Sequence, residues 1–148
     1  MRRILHINLL LLFCIVTFYA CKLETSDNGK LDGYWKLCLV DTIATGGRLD
    51  LTESSLFWSV QLNMLTMRDN QQISKGEYTF RFDHNGNTLR VYEPRKYEKV
   101  NGDTLLTNPS QIRKFGINDL DVTFPIDHLS NRRMHLSDEH HHLYFTKF

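Results

Sequence analysis

The sequence predicts an all-β domain of about eight short antiparallel strands, a sandwich or a barrel, behind an N-terminal export signal. Three observations carry this. Apolar and polar residues alternate with period two in several stretches, as in Tyr78-Thr79-Phe80-Arg81-Phe82. Turn-forming residues punctuate the stretches, above all the pair Asn85-Gly86. No long stretch carries apolar residues at helical spacing. Closing such a series of strands removes exposed sheet edges.

The first element is the signal. Arg2 and Arg3 precede an apolar run from Leu9 to Ala20 in which only Thr17 and Tyr19 are polar. Counted back to Ile4 the run is interrupted by His6 and Asn8, and it falls short of the roughly 20 apolar residues a membrane-crossing helix needs. A basic start, a short apolar core and a small residue before Cys21 read as a signal peptide over residues 1–20. Phe18-Tyr19-Ala20-Cys21 resembles a bacterial lipobox, whose cysteine is acylated and becomes the new first residue. Cleavage without acylation, or an uncleaved anchor, would also fit the pattern. The reading adopted is lipid attachment, palmitate included, at Cys21, with the protein held at the cell envelope, in the outer membrane, by its acyl chains. Residues 21–30 follow as a polar tether: Lys22 to Lys30 holds one aliphatic residue and cannot order itself by burial.

The folded domain is expected over residues 31–148. Tyr34 to Asp41 reads as a first strand with Trp35, Leu37 and Leu39 on one face. Leu56, Trp58, Val60, Leu62 and Met64 alternate with polar residues and predict one long strand with a buried face. Tyr78, Phe80 and Phe82 define the next, which turns at His84-Asn85-Gly86-Asn87 and returns through Leu89 and Val91. Thr104 to Leu106 is a short strand candidate. Asn108-Pro109 opens a short helix through Phe115, with Gly116 as its stop. Leu120, Val122 and Phe124 predict a strand ended by Pro125, and Arg133–Ser137 and His142–Phe148 predict two more.

Composition narrows the function. Of 148 residues, removal of the first 20 leaves a length suited to one core, with 16 basic residues against 17 acidic. Near-neutrality argues against nucleic acid as a partner. Arg95-Lys96, Arg113-Lys114 and Arg132-Arg133 read as solvated faces. With Cys14 lost and Cys21 acylated, Cys38 has no disulfide partner and reads as a packed, inert thiol.

The residues "LDGYWKL", opening the first strand after a lipoprotein tether, are similar to the Gly-x-Trp start of lipocalin-like domains. "MHLSDEHHHLYFTKF" resembles the final hairpin of small bacterial lipocalin-like lipoproteins. The resemblance spans about Leu31 to Phe148. It implies an antiparallel up-and-down barrel of about eight strands whose floor is closed by Trp35 beneath a basic side chain, Lys147 or Arg133. The mid-chain motif and long C-terminal helix of the larger secreted lipocalins are missing.

The expected function is binding of a small apolar or amphipathic ligand inside the barrel, by a monomer with no cofactor. Trp35, Leu37, Trp58, Val60, Tyr78, Phe80 and Phe82 are the candidate lining. The same aromatics could instead fill the interior. An alternative function is a protein- or glycan-interaction module using the stretch Glu93 to Asn108, with Tyr92 and Tyr97 as anchors. Asp138-Glu139-His140-His141-His142 suggests a metal site, but on a strand only His140 and His142 share a face. Asp138, Glu139 or His135 would have to complete the ligand set. A polar hairpin loop is the reading preferred, with no metal. Thr45-Gly46-Gly47 lacks the spacing of a phosphate loop, and no nucleophile elbow occurs. Nothing in the chain points to an enzyme.

Overall fold

The computed structural model describes residues 26–72, 76–98, 100 and 102–148; the signal peptide and Cys21 lie outside them. Ten strands follow in order: β1 (Gly33–Thr42), β2 (Gly47–Asp50), β3 (Leu56–Gln61), β4 (Met64–Asp69) and β5 (Glu77–Asn85). They continue with β6 (Thr88–Lys96), β7 (Thr104–Leu105), β8 (Asp121–Leu129), β9 (Arg133–Ser137) and β10 (His141–Lys147). All pairings are antiparallel, and β1–β10 pairing closes a barrel of eight staves, β1-β3-β4-β5-β6-β8-β9-β10. Closure leaves no long unpaired edge. β2 and β7 are short additions, paired to β1 and β6.

Most staves bury alternate residues on the inside, where a single apolar cluster runs from Leu31 to Phe145; β3 also buries Phe57, which is outside that cluster and stacks on Tyr34. The aromatic strand β5 does this as the alternation predicts, with Tyr78, Phe80 and Phe82 buried. Its hairpin places Gly86 at the first central position with φ +57, while Asn87 is not left-handed. That is the sign pattern of a type II′ turn, in which glycine comes first.

Four elements depart from the sequence reading. The long strand over Leu56–Met64 is two strands: β3 ends at Gln61, the chain reverses through Leu62 (φ +54), and β4 pairs back on β3. Leu62 and Met64 are therefore exposed, although Leu56, Trp58 and Val60 are buried as expected. In β1 a bulge at Cys38 shifts the register between Leu37 and Leu39. An extra residue moves the following side chains to the other face, so Val40, not Leu39, packs on the core. Pro125 does not end a strand but lies inside β8. It sits where β8 passes from its β6 pairing to its β9 pairing, a point where a missing N–H costs no ladder bond. Finally, the helix after Asn108 is two 3₁₀ turns, Pro109–Gln111 and Arg113–Phe115, stopped by Gly116 at φ +86.

Part of the stretch Glu93–Asn108 is strand as well, since β6 runs to Lys96 and β7 pairs with it. At the other terminus, the polar residues before Leu31 are not free of the barrel. The Asn28 amide donates to the carbonyl of Leu62 and to Asp32, and Ser26 also donates to Asp32.

Candidate functional site

The barrel interior has a floor, a wall and a cap. At the floor, a 3₁₀ turn over Gly29–Leu31 drives Leu31 into the end of the barrel beside Trp35, both fully buried. The Trp35 indole N–H donates to the carbonyl of Leu31 at 2.7 Å. Lys147 stands over the indole with Nζ 4.7 Å from the ring centroid, and donates to the carbonyl of Lys30 at 3.1 Å. Of the two basic residues that the resemblance implies for this position, Lys147 takes it; Arg133 is exposed at the start of β9. Gly33 has to be glycine here: its φ is +128, and a Cβ would meet the Lys147 stem at 2.6 Å.

The wall brings together all seven residues expected to line a pocket. Trp35, Leu37, Trp58, Val60, Tyr78, Phe80 and Phe82 are buried and belong to one cluster. Trp58 lies at its centre, with Phe145 at 4.8 Å and Phe124 at 6.0 Å between ring centroids. These side chains pack in one cluster with Phe124 and Phe145.

The cap was missed by the sequence reading. Leu106, Ile112, Phe115 and Ile117 come from the irregular segment between β7 and β8 and are buried in the end of the barrel opposite the floor. Polar groups on the wall hold this segment. Trp58 Nε1–H donates to the carbonyl of Phe115 at 3.1 Å, and the Tyr78 hydroxyl donates to the Gln111 side-chain oxygen at 3.2 Å. Burial raises the Tyr78 phenol above its ordinary value, against a smaller opposing pull from Lys96. The rim carries a charged latch: Lys114 Nζ lies 3.1 Å from Asp69. Burial pushes the Asp69 carboxyl up, but hydrogen bonds from Ser55, Lys114 and the Gln71 N–H outweigh it and leave the group below its ordinary range. Gly116 then lets the chain pass tightly over Leu143, where a Cβ would fall 2.8 Å from a Leu143 methyl. The legible signal for the cap was Ile112 and Phe115, three residues apart between a proline start and a glycine stop.

Other candidates lie outside the barrel. His140 sits in the β9–β10 turn and His141 opens β10, and Asp138 ties the turn by accepting from both N–H groups at 2.7 and 2.6 Å. His141 hydrogen-bonds Asn118, and His142 faces Asp127 at 3.8 Å. His135 turns away from that loop onto His128 and Tyr144. Burial first, then the neighbouring His128 and Arg133, push its imidazole below the ordinary value. Among the described residues no three His, Cys, Asp or Glu side chains are placed to share an ion. Cys38 is half-buried at the bulge with its sulfur 3.6 Å from Thr146 Oγ1. Tyr92 is covered by Arg90 at 4.6 Å, whereas Tyr97 is exposed. Lys96 and Lys114, which the sequence put on solvated faces, are held by Glu98 and Asp69.

A closed eight-stranded antiparallel barrel with a tryptophan floor and an aromatic interior defines a class of small β-barrel proteins whose characteristic site is the inside of the barrel. The chain belongs to the lipocalin-like domain family, whose model matches residues 14–148. Among solved structures, it is similar to a lipocalin-like protein from Bacteroides uniformis, at 20% identity and a TM-score of 0.60, covering 81% of this chain and 100% of the other. It is also similar to an uncharacterized protein from Bacteroides eggerthii, at 16% identity and a TM-score of 0.52, covering 79% of this chain and 98% of the other. At these identities the likeness shows the fold. No match was found among curated proteins.

Proposed function

We propose that this chain is a lipid-anchored, non-enzymatic binding protein of the cell envelope that takes a small apolar or amphipathic molecule into the cap end of its barrel. One observation carries the reading. The end opposite the floor is filled by a single segment that is not part of the closed ladder, and the wall donates its indole N–H and phenol hydroxyl to that segment. Phe115 and Ile112 thus stand where a bound molecule's apolar part would stand, with polar handles at its edge. The cap acts as an internal competitor. A ligand enters when it covers the apolar surface that the cap leaves behind, and 3₁₀ turns, with their poorer hydrogen-bond geometry, yield more readily than barrel strands.

The membrane anchor of the reading rests on the Ala20-Cys21 junction after a short apolar run. A second reading, a protein- or glycan-interaction module, draws support from Tyr97, Val100 and Leu105, exposed together near β7. Native mass spectrometry of the protein purified from its own envelope decides between them. An apolar molecule bound at one per chain supports the ligand reading. Bare protein, together with a specific partner retained through a Tyr97→Ala-sensitive contact, supports the module.

A further inference from the structure

The floor end of the barrel has an exposed apolar rim. Leu62 and Met64 project from the β3–β4 turn and are 37% and 48% exposed; Phe148 follows β10 and is 86% exposed. All belong to one end: Asn28 holds the carbonyl of Leu62, and Phe148 pairs through its N–H with the Tyr34 carbonyl at the start of β1. Lys30, Arg132 and Arg133 belong to the same end, where Lys147 donates through Nζ to the Lys30 carbonyl and through its N–H to the Arg132 carbonyl; Met64 is also paired with Arg81 and borders Glu93. Among the described residues Lys30, Arg132 and Arg133 are in no ion pair. By contrast, Arg48, Arg68, Arg81 and Arg90 on the barrel's flank are matched by Asp41, Glu77, Glu93 and Asp121, while Arg95 on β6 is in no ion pair among the described residues. Asp27 and Asp32 are the acidic residues of the segment that enters the floor, and Asp32 is engaged by Ser26 and Asn28.

We propose that this floor rim is a membrane-contact surface: Leu62, Met64 and Phe148 enter the interface of the bilayer that holds Cys21, and Lys30, Arg132 and Arg133 face its lipid phosphates. The inference rests on lipid attachment at Cys21, and reach makes it specific. Five peptide links separate Cys21 from Ser26, a span of at most about 18 Å at full extension. Staves of nine or ten residues, such as β1 and β5, tilted by about 40°, give a barrel roughly 25 Å tall. The cap end therefore cannot rest on the membrane while Cys21 is anchored in it, despite its own exposed Ile43 and Leu49. The flank, where four of those five arginines are matched, offers fewer free cations to anionic phosphates. The floor lies next to the anchor and presents unpaired cations beside apolar side chains, the combination an interface favours. The cap end then opens away from the bilayer.

The test uses the full, processed chain in vesicles of phosphatidylethanolamine and phosphatidylglycerol. In a Cys38→Ser background, Leu62→Cys, Met64→Cys and Ile43→Cys each carry a bimane label, and some vesicles contain phospholipid with a nitroxide near the headgroup. The labels at positions 62 and 64 should be quenched severalfold more than that at 43. Adding Arg132→Glu and Arg133→Glu should bring them toward the level at 43. Equal quenching at all three positions, stronger quenching at 43, or indifference to the charge reversal would overturn the proposal while the protein still floats with vesicles. Failure of the parent protein to float would instead remove the lipid anchor and the proposal with it.

Discussion

Replacing Trp35 by alanine tests the floor. The side chain is fully buried, and truncation of a large aromatic typically costs about 3–5 kcal/mol. Two further losses follow. The Leu31 carbonyl loses its indole donor, a penalty of about 1–3 kcal/mol if it stays dry. Lys147 loses the ring beneath it, about 0.5–1 kcal/mol at this partly exposed site. These terms overlap, because the turn over Gly29–Leu31 can relax into the gap and admit water. The expected total is about 4–5 kcal/mol, a large part of the roughly 5–15 kcal/mol a domain possesses. Urea unfolding followed by circular dichroism reads it as a lower midpoint at unchanged slope. Trp35→Phe separates the contributions, keeping most of the apolar burial while losing the indole donor, and should cost about 1–3 kcal/mol. A loss below about 1 kcal/mol for Trp35→Ala would refute the floor and the assignment of β1 with it.

Gly116→Ala should destabilise by about 1–3 kcal/mol, since φ is +86 and the new methyl would press on buried Leu143; a neutral result in thermal unfolding would show that the cap passes β10 less tightly. Asp69→Asn should cost about 1–3 kcal/mol at neutral pH. The folded carboxyl lies below its ordinary value of 3.8, so its contribution is present above that value and is lost as pH falls through the lower folded one. The variant's deficit should therefore shrink in acid, and a deficit independent of pH would contradict the latch. Cys21→Ser should leave the protein in the soluble envelope fraction or as unprocessed precursor, and a mature-sized species still pelleting with membranes would contradict acylation.

The parts of the fold legible in the sequence are those that local physics determines. Period-two burial marked β5, β6, β9 and β10 because a barrel wall is dry on one face and wet on the other. Trp35 and the interior aromatics were found the same way. What escaped was set by register and topology. Leu62 and Met64 continue the alternation of β3, so nothing local reveals that the chain reverses between them. The bulge at Cys38 depends on how β1 meets β10, more than a hundred residues away in sequence. Pro125 is tolerated because β8 changes partner there, a fact of the closed barrel and not of the strand. The cap was hardest to see: Ile112 and Phe115 lie in a polar stretch, and only the long-range bond from Trp58 shows what they cover. The resemblance left Lys147 and Arg133 as alternatives, and the path of the Lys147 side chain over Gly33 and Trp35 settles the choice.

The central claim is that a ligand replaces the cap against Trp58, and tryptophan emission tests it most directly. The chain has two tryptophans, and in a Trp35→Phe background emission comes from Trp58 alone. Titration with a fatty acid or an apolar dye should quench or shift that emission saturably at one molecule per chain. Phe115→Ala, which removes the internal competitor, should tighten the binding. Emission from Trp58 that stays constant up to the solubility limit of every apolar probe, in a protein that remains folded, would contradict the account and leave the cap as a permanent part of the core.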